Sequence, residues 1–201
     1  MKRIAVALWL SLFFTAAAYG QSLDPADRDR AAKYLEATKK GVLDATKGLS
    51  DAQWNFKPAP DRWSVAQVTE HIAASEDMLF GMVTEKIMKA PPRPELADVK
   101  VIDEMILTRI VDRSKKAQAP EPLVPTNRYG SPDAAKKHFA ESRAKTAEFL
   151  EKTADLRAHA VDSFLGAKLD AYEWILFIAA HSERHTKQIN EVKADPNFPK
   201  K

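Results

Sequence analysis

Five histidines carry the clearest chemical signal in this 201-residue sequence: His71, His138, His159, His181 and His185. His181 and His185 are four residues apart, so on a helix they share one face, one turn apart. Trp174, Ile178, His181, His185 and Ile189 follow one another at steps of 4, 3, 4 and 4, which places the pair in an otherwise apolar stripe. His71 occupies a similar stripe, formed by Val68, His71, Ser75, Met78 and Met82. Imidazoles on core-facing stripes are costly unless their nitrogens find partners. A divalent metal would serve all three. An i,i+4 histidine pair supplies two ligands to one ion. A third histidine from another helix completes the set and leaves at least one position open for water or substrate. Neutral imidazole suits Zn²⁺, Ni²⁺, Cu²⁺ and Fe²⁺ alike, so the ligand type does not select the metal. The competing reading is a set of hydrogen-bonded core or surface histidines, and spacing alone leaves both open.

The residues around the pair exclude one metal chemistry. A zinc protease of the His-Glu-x-x-His type needs Glu directly after the first histidine. That place is Ser182, and Glu183 points roughly 200° around the helix from His181. Gln188, three residues past His185 on the same face, is placed to orient a ligand or a water. Glu70 and Glu76 flank His71 and are candidates to support it or to act as a base. Asp162 and Ser163 are candidates for the mouth of the site. His159 is a candidate lid or supporting group, with a surface role as the alternative. His138 reads as a surface residue, and Trp54 and Trp63 as loop-packing residues.

The elements that must position these groups read as helices, because no segment sustains period-2 alternation. A first helix starts at Asp24-Pro25 and runs to about Lys47-Gly48. A structured, aromatic loop follows from Ser50 to Trp63. Ser64 with Gln67 forms a capping box that opens a second helix, reaching about Met88. A third spans about Leu96 to Lys116. Residues 117–130 are a Pro-rich connection. Ser131-Pro132 caps a fourth helix ending near Thr153, residues 154–169 read as mostly irregular, and Asp170 with Glu173 caps a fifth that reaches Ala194. Residues 195–201 read as a loose tail. The expected fold is all-α: one domain over residues 21–194, an up-down-type bundle with an extra helix and long crossover loops.

Composition narrows the chemistry further. There is no Cys, which excludes a thiolate nucleophile, a Cys-ligated zinc, an iron–sulfur cluster and any disulfide. The N-terminus has Lys2 and Arg3, an apolar run from Ile4 to Ala17, then Ala18-Tyr19-Gly20. This is the layout of a cleaved secretory signal peptide over residues 1–20, ending near Gly20. The reading makes the protein periplasmic or secreted, with no membrane attachment after cleavage. Of the 31 basic and 28 acidic residues, the leader holds two basic and no acidic ones. The remainder is nearly neutral and gives no support for nucleic-acid binding.

Two stretches resemble the DinB/YfiT-like family of helical metalloproteins. One is Trp54-x-Phe-Lys-Pro-x-Pro-x-Arg-Trp-Ser-Val-Ala-Gln-Val-x-Glu-His71-Ile. The other is Glu173-Trp174-Ile-Leu-Phe-Ile-Ala-Ala-His181-x-x-Arg-His185-x-x-Gln188-Ile189. The resemblance implies a four-helix bundle with an added helix or loop. Position by position, it implies His71, His181 and His185 as ligands of a divalent transition metal, zinc or nickel foremost. It further implies hydrolase or thiol S-transferase-like chemistry on an unidentified small molecule. Export sets this chain apart from cytoplasmic thiol-dependent members. The alternative is a non-catalytic domain that the metal stabilises, and a homodimer through the outer helix faces is a further expectation.

Overall fold

Each long helix begins where side-chain chemistry satisfies its free N–H groups. The computed structural model describes residues 23–93, 98–114 and 116–200, and the expected leader lies outside them. Helix α1 (Pro25–Ala45) starts with the Asp24 carboxylate accepting from Ala26 N–H, with Pro25 at its first position. Ser50 and Gln53 form a capping box on a short helix, α2 (Asp51–Asn55), inside the segment expected to be loop. The predicted box of Ser64 and Gln67 opens α3 (Val65–Glu85). Asp98 caps α4 (Val99–Arg109), Ser131 caps α5 (Pro132–Lys152), and the predicted Asp170–Glu173 box opens α6 (Ala171–Lys193).

The segment 154–169 holds more order than its composition suggests. Strands β1 (Ala160–Asp162) and β2 (Lys168–Asp170) pair as an antiparallel hairpin. Three residues per strand are too few to show alternation. The turn closes with Gly166 at φ 80° and with Ser163 Oγ donating to the Ala167 carbonyl at 2.6 Å. Helix α4 ends at Arg109, earlier than expected, and the Arg184 guanidinium donates to the carbonyls of Ile110 and Asp112 just beyond it. Residues 195–199, expected to trail free, are docked. Phe198 meets Phe56 edge-on at 5.5 Å, and Gln53 Nε2 donates to the Pro199 carbonyl at 2.9 Å.

The four long helices α1, α6, α3 and α5 pack in that cyclic order, with α4 laid against α6 and α2 against α3. Contacts fix their directions. Tyr172 reaches Asp27 while Lys193 reaches Ala45, so α1 and α6 run parallel. Asp77 meets His138 while Phe80 meets Phe149, so α3 and α5 run parallel. Arg28 reaches Leu150 while Arg143 reaches Thr38, so α1 and α5 are antiparallel. The chain therefore runs up, down, down, up. The parallel α3–α5 pair forces residues 86–131 to travel back along the bundle, which is the expected long crossover. Among the described residues no helix is long and apolar enough to cross a membrane.

Two apolar clusters fill the interior. One gathers Leu35, Val83, Ile106, Leu150 and Ile175, the other Val42, Val65, Phe139, Ile189 and Val192. Polar side chains sit between them. Arg143, 1% exposed, forms a two-pronged pair with Glu76 at 2.8 Å on each prong. It also donates to the Leu35 carbonyl, Thr38 Oγ1 and Ser182 Oγ, so one guanidinium ties all four long helices together. At the end of the bundle where α6 begins, Arg157 joins Asp103, Asp170 and Asp27, and Arg93 joins Asp170 and Glu173. That network anchors the start of the helix that carries two of the histidines.

Candidate metal centre

His71 comes from α3, and His181 and His185 from α6, two antiparallel neighbours. One ring nitrogen from each histidine lies within 4.8 Å of the corresponding nitrogen of the other two. The ring centroids of His71 are 5.1 Å from His181 and 4.5 Å from His185. His71 and His185 are buried, and His181 is part-buried.

Hydrogen bonds assign two of the three tautomers. His71 Nδ1 is 2.9 Å from the Leu123 carbonyl, which only accepts, so Nδ1 carries the hydrogen and Nε2 the lone pair. His185 Nδ1 is 2.8 Å from Gln188 Oε1. Arg113 Nη1 donates to the same oxygen at 3.4 Å, which orients the amide as acceptor. His185 Nε2 therefore also presents a lone pair, and it faces His181 Nε2 at 3.1 Å. Burial lowers all three pKa values, for His181 and His185 well below the ordinary histidine range. The neighbouring imidazoles push the same way for that pair, and the Leu123 bond partly offsets burial at His71. The cluster is thus a convergent set of neutral nitrogen donors.

The supporting residues divide into those the sequence singled out and those it did not. Gln188 acts as expected, on His185. Glu70 acts at one remove. Its carboxylate accepts from the backbone N–H groups of Thr126, Asn127 and Arg128 and from Arg128 Nε, at 2.7–3.1 Å. Arg128 in turn donates to the carbonyls of Pro122 and Val124. Glu70 so pins the loop whose Leu123 carbonyl holds His71. Burial raises the Glu70 pKa, but these N–H donors outweigh it and hold the carboxyl below the usual range.

Other candidates lie elsewhere. Glu76 is committed to Arg143 and Thr146 in the bundle interior. Asp162 is exposed, and Ser163 closes the hairpin turn. His159 Nδ1 sits 2.6 Å from the Ala90 carbonyl, and His138 pairs with Asp77 at 2.6 Å, so neither joins the cluster. Trp63, read as a loop-packing residue, lies with its ring 5.0 Å from His71 and walls the site. The Leu123 carbonyl was beyond sequence reading, because a backbone oxygen has no residue type. Phe177, stacked on His181 at 6.1 Å, was hidden within an apolar run.

Known proteins are similar to this chain in sequence or in fold. The YuaE protein of Bacillus subtilis (strain 168), itself uncharacterized, is 29% identical over 148 residues, covering 73% of this chain and 87% of YuaE. Among solved structures, YfiT from Bacillus subtilis is similar with a TM-score of 0.54 at 16% identity, over 89% of this chain and 93% of that one. YfiT is described as a probable metal-dependent hydrolase with an unusual four-helix bundle topology. At that identity the likeness is one of fold. The sequence model of the DinB superfamily matches residues 34–189, which span all three clustered histidines, the whole of α3 and most of α6, and the chain belongs to that superfamily.

Proposed function

We propose that this chain is an exported metal-dependent hydrolase in which His71, His181 and His185 hold one divalent ion, zinc or nickel. The observation that carries the reading is the 3.1 Å approach of His181 Nε2 to the lone pair of His185 Nε2. An ion about 2.0–2.1 Å from each of two nitrogens sets them roughly 2.8–3.4 Å apart at octahedral to tetrahedral angles. The donor set fits. It is neutral, its Nδ1 hydrogens at His71 and His185 are engaged by acceptors, and the third nitrogen lies within reach. The description of YfiT as a probable metal-dependent hydrolase supports the same reading.

Such an ion supplies Lewis acidity and lowers the pKa of water. The chain's own groups do the rest. Leu123 and Gln188 fix the imidazole planes, and Trp63 covers His71 against water. The partial exposure of His181 leaves one side for a substrate to approach. Neither Glu70 nor Glu76 is available as a proton acceptor at the cluster, since each is held by other donors. With no Cys in the sequence, a thiol-transfer variant of this chemistry takes its thiol from outside. The burial of His71 and His185 favours a second reading, in which the ion only fastens α3 to α6.

The test is metal analysis of the purified protein, followed by stripping and reloading with zinc or nickel. The reading predicts one ion per chain, lost in His71→Ala and His181→Ala. It also predicts hydrolysis of a panel of p-nitrophenyl esters, thioesters and anilides that tracks metal occupancy. Protein that takes up no divalent ion sinks both readings. A bound ion with no turnover across the panel leaves the fastening role.

A further inference from the structure

The two buried histidines are oriented by acceptors of different kinds. His71 Nδ1 meets the Leu123 carbonyl, a backbone oxygen that cannot become a donor. His185 Nδ1 meets Oε1 of the Gln188 side chain. A side-chain amide carries its oxygen and its NH₂ group in nearly the same space. Turned about its last bond, Gln188 would present Nε2 to His185 with little steric cost. A donor in that place selects the other neutral tautomer, in which Nδ1 accepts and Nε2 carries the hydrogen. His185 Nε2 is the atom that faces His181 Nε2 at 3.1 Å. A hydrogen there occupies the lone pair that a metal needs. The competence of His185 as a ligand therefore depends on which way one amide faces.

Arg113 decides it. Its Nη1 donates to Gln188 Oε1 at 3.4 Å, and a guanidinium has donors only. An amide turned the other way would set its NH₂ group against that guanidinium. Arg113 is itself clamped on a second side. Its Nε and Nη2 donate to the two carboxylate oxygens of Glu191, each at 2.6 Å. His185, Gln188 and Glu191 stand three residues apart along one row of α6, and Arg113 lies across the end of that row. The backbone around Arg113 is fixed as well. Arg184 donates to the carbonyls of Ile110 and Asp112, and the Asp112 carboxylate accepts from Ser114 N and Ser114 Oγ, each at 2.8 Å.

We infer that Arg113 is a positioning residue of the proposed metal centre: held by Glu191, it locks the Gln188 amide and thereby the His185 tautomer that leaves Nε2 free for the ion. Arg113 and Leu123 both belong to the crossover that follows α4, so one segment sets both buried imidazoles, Leu123 directly and Arg113 through Gln188. Docking of that segment and binding of the ion are then linked, and each favours the other by the same factor. The inference rests on the metal-centre reading, but the tautomer is measurable without any metal.

The test pairs ring ¹⁵N NMR of His185 in metal-stripped protein with zinc competition titration. Wild type carries the His185 hydrogen on Nδ1. Arg113→Met mixes the two tautomers and weakens zinc binding about tenfold. Arg113→Lys, which also only donates, keeps most of the Nδ1–H form. Gln188→Glu offers His185 an acceptor on either oxygen, so it needs no lock. In that background Arg113→Met leaves both the tautomer and the zinc affinity unchanged. A merely structural role for Arg113 would not be cancelled by a change at Gln188. An Arg113→Met protein whose His185 stays wholly on Nδ1, or an effect as large in the Gln188→Glu background as in wild type, overturns the inference. A mixed tautomer with zinc affinity unchanged also overturns it, since the lock then does nothing for the ion. If wild type binds no zinc, the metal-centre reading falls and the inference with it, whatever the tautomers.

Discussion

Replacing Glu70 by Gln tests how the metal site is held together, because Glu70 lies in the helix turn beside His71 yet acts on it through a loop. In the native protein both carboxylate oxygens accept: Oε1 from Thr126 N, Arg128 N and Arg128 Nε, and Oε2 from Asn127 N at 2.8 Å. A glutamine keeps one acceptor and turns the other into an NH₂ group. Whichever way the amide faces, at least one backbone donor confronts a donor. The charge that strengthened the remaining bonds is also gone. A hydrogen bond to a charged group contributes about 1.5–3 kcal/mol, and an unmet buried donor costs about 1–3 kcal/mol. The loop should loosen by about 2–4 kcal/mol, and its Leu123 carbonyl then no longer fixes the His71 ring. Losing a group that orients a ligand typically weakens metal binding about 10–100-fold. The assay pairs zinc competition titration with hydrogen exchange at the Thr126, Asn127 and Arg128 amides. The expected result is faster exchange at those three amides together with weaker zinc binding. Faster exchange with zinc affinity unchanged would refute the chain of positioning from Glu70 through Leu123 to His71.

Gln188→Ala should also weaken zinc by about 10–100-fold, with little change in melting temperature, since Gln188 orients His185 from a part-buried position. Arg143→Met should destabilise the fold by about 3–5 kcal/mol in a denaturant titration, because it strands the Glu76 carboxylate in the interior. Asp27→Asn tests the network at the start of α6. Burial raises the Asp27 pKa, but Lys100 and Arg157 outweigh it and hold the carboxyl below its ordinary value. Its contribution is therefore present above the unfolded value of about 3.9 and fades as pH falls through the lower folded one. The stability gap between wild type and variant should shrink between about pH 4 and pH 2, and a gap that grows on acidification contradicts the assignment. Chelation of the metal should lower the melting temperature by less than Arg143→Met does, as followed by circular dichroism.

Much of this was legible in the sequence because it was written in side chains at helical spacing. The capping boxes at Ser64 and Asp170 set the starts of α3 and α6, and so fixed which face each histidine would present. Periodicity then brought His71, His181 and His185 together, and Gln188 followed from its step of three. Illegible were the features made by backbone or by distant pairing. The Leu123 carbonyl reaches His71 from 52 residues away, and no residue type announces an acceptor in a Pro-rich crossover. The β1–β2 hairpin has strands too short to alternate. Glu76 looked like a neighbour of His71, yet it turns about 140° away on the helix and meets Arg143, a partner that α5 alone could reveal. The helix directions were also hidden, since they depend on how the 86–131 crossover closes rather than on any pattern within the helices.

The arrangement also weighs the catalytic reading against the fastening one. A metal that exists to join α3 to α6 is most needed where nothing else joins them. At the level of the cluster the joint is already made. Arg143 holds Glu76 of α3 and Ser182 of α6 together, with α1 as a third partner, and Ser182 is the residue next to His181. Apolar clusters close the bundle on either side of that layer. The marginal stability gained from an ion there is correspondingly small. The features around the cluster instead suit a reacting molecule: a partly exposed His181 with Phe177 stacked on it. A fastening role would not require an open side. A hydrolase would, and the polar layer beneath the histidines then has the task of holding them still while the open side stays free for substrate.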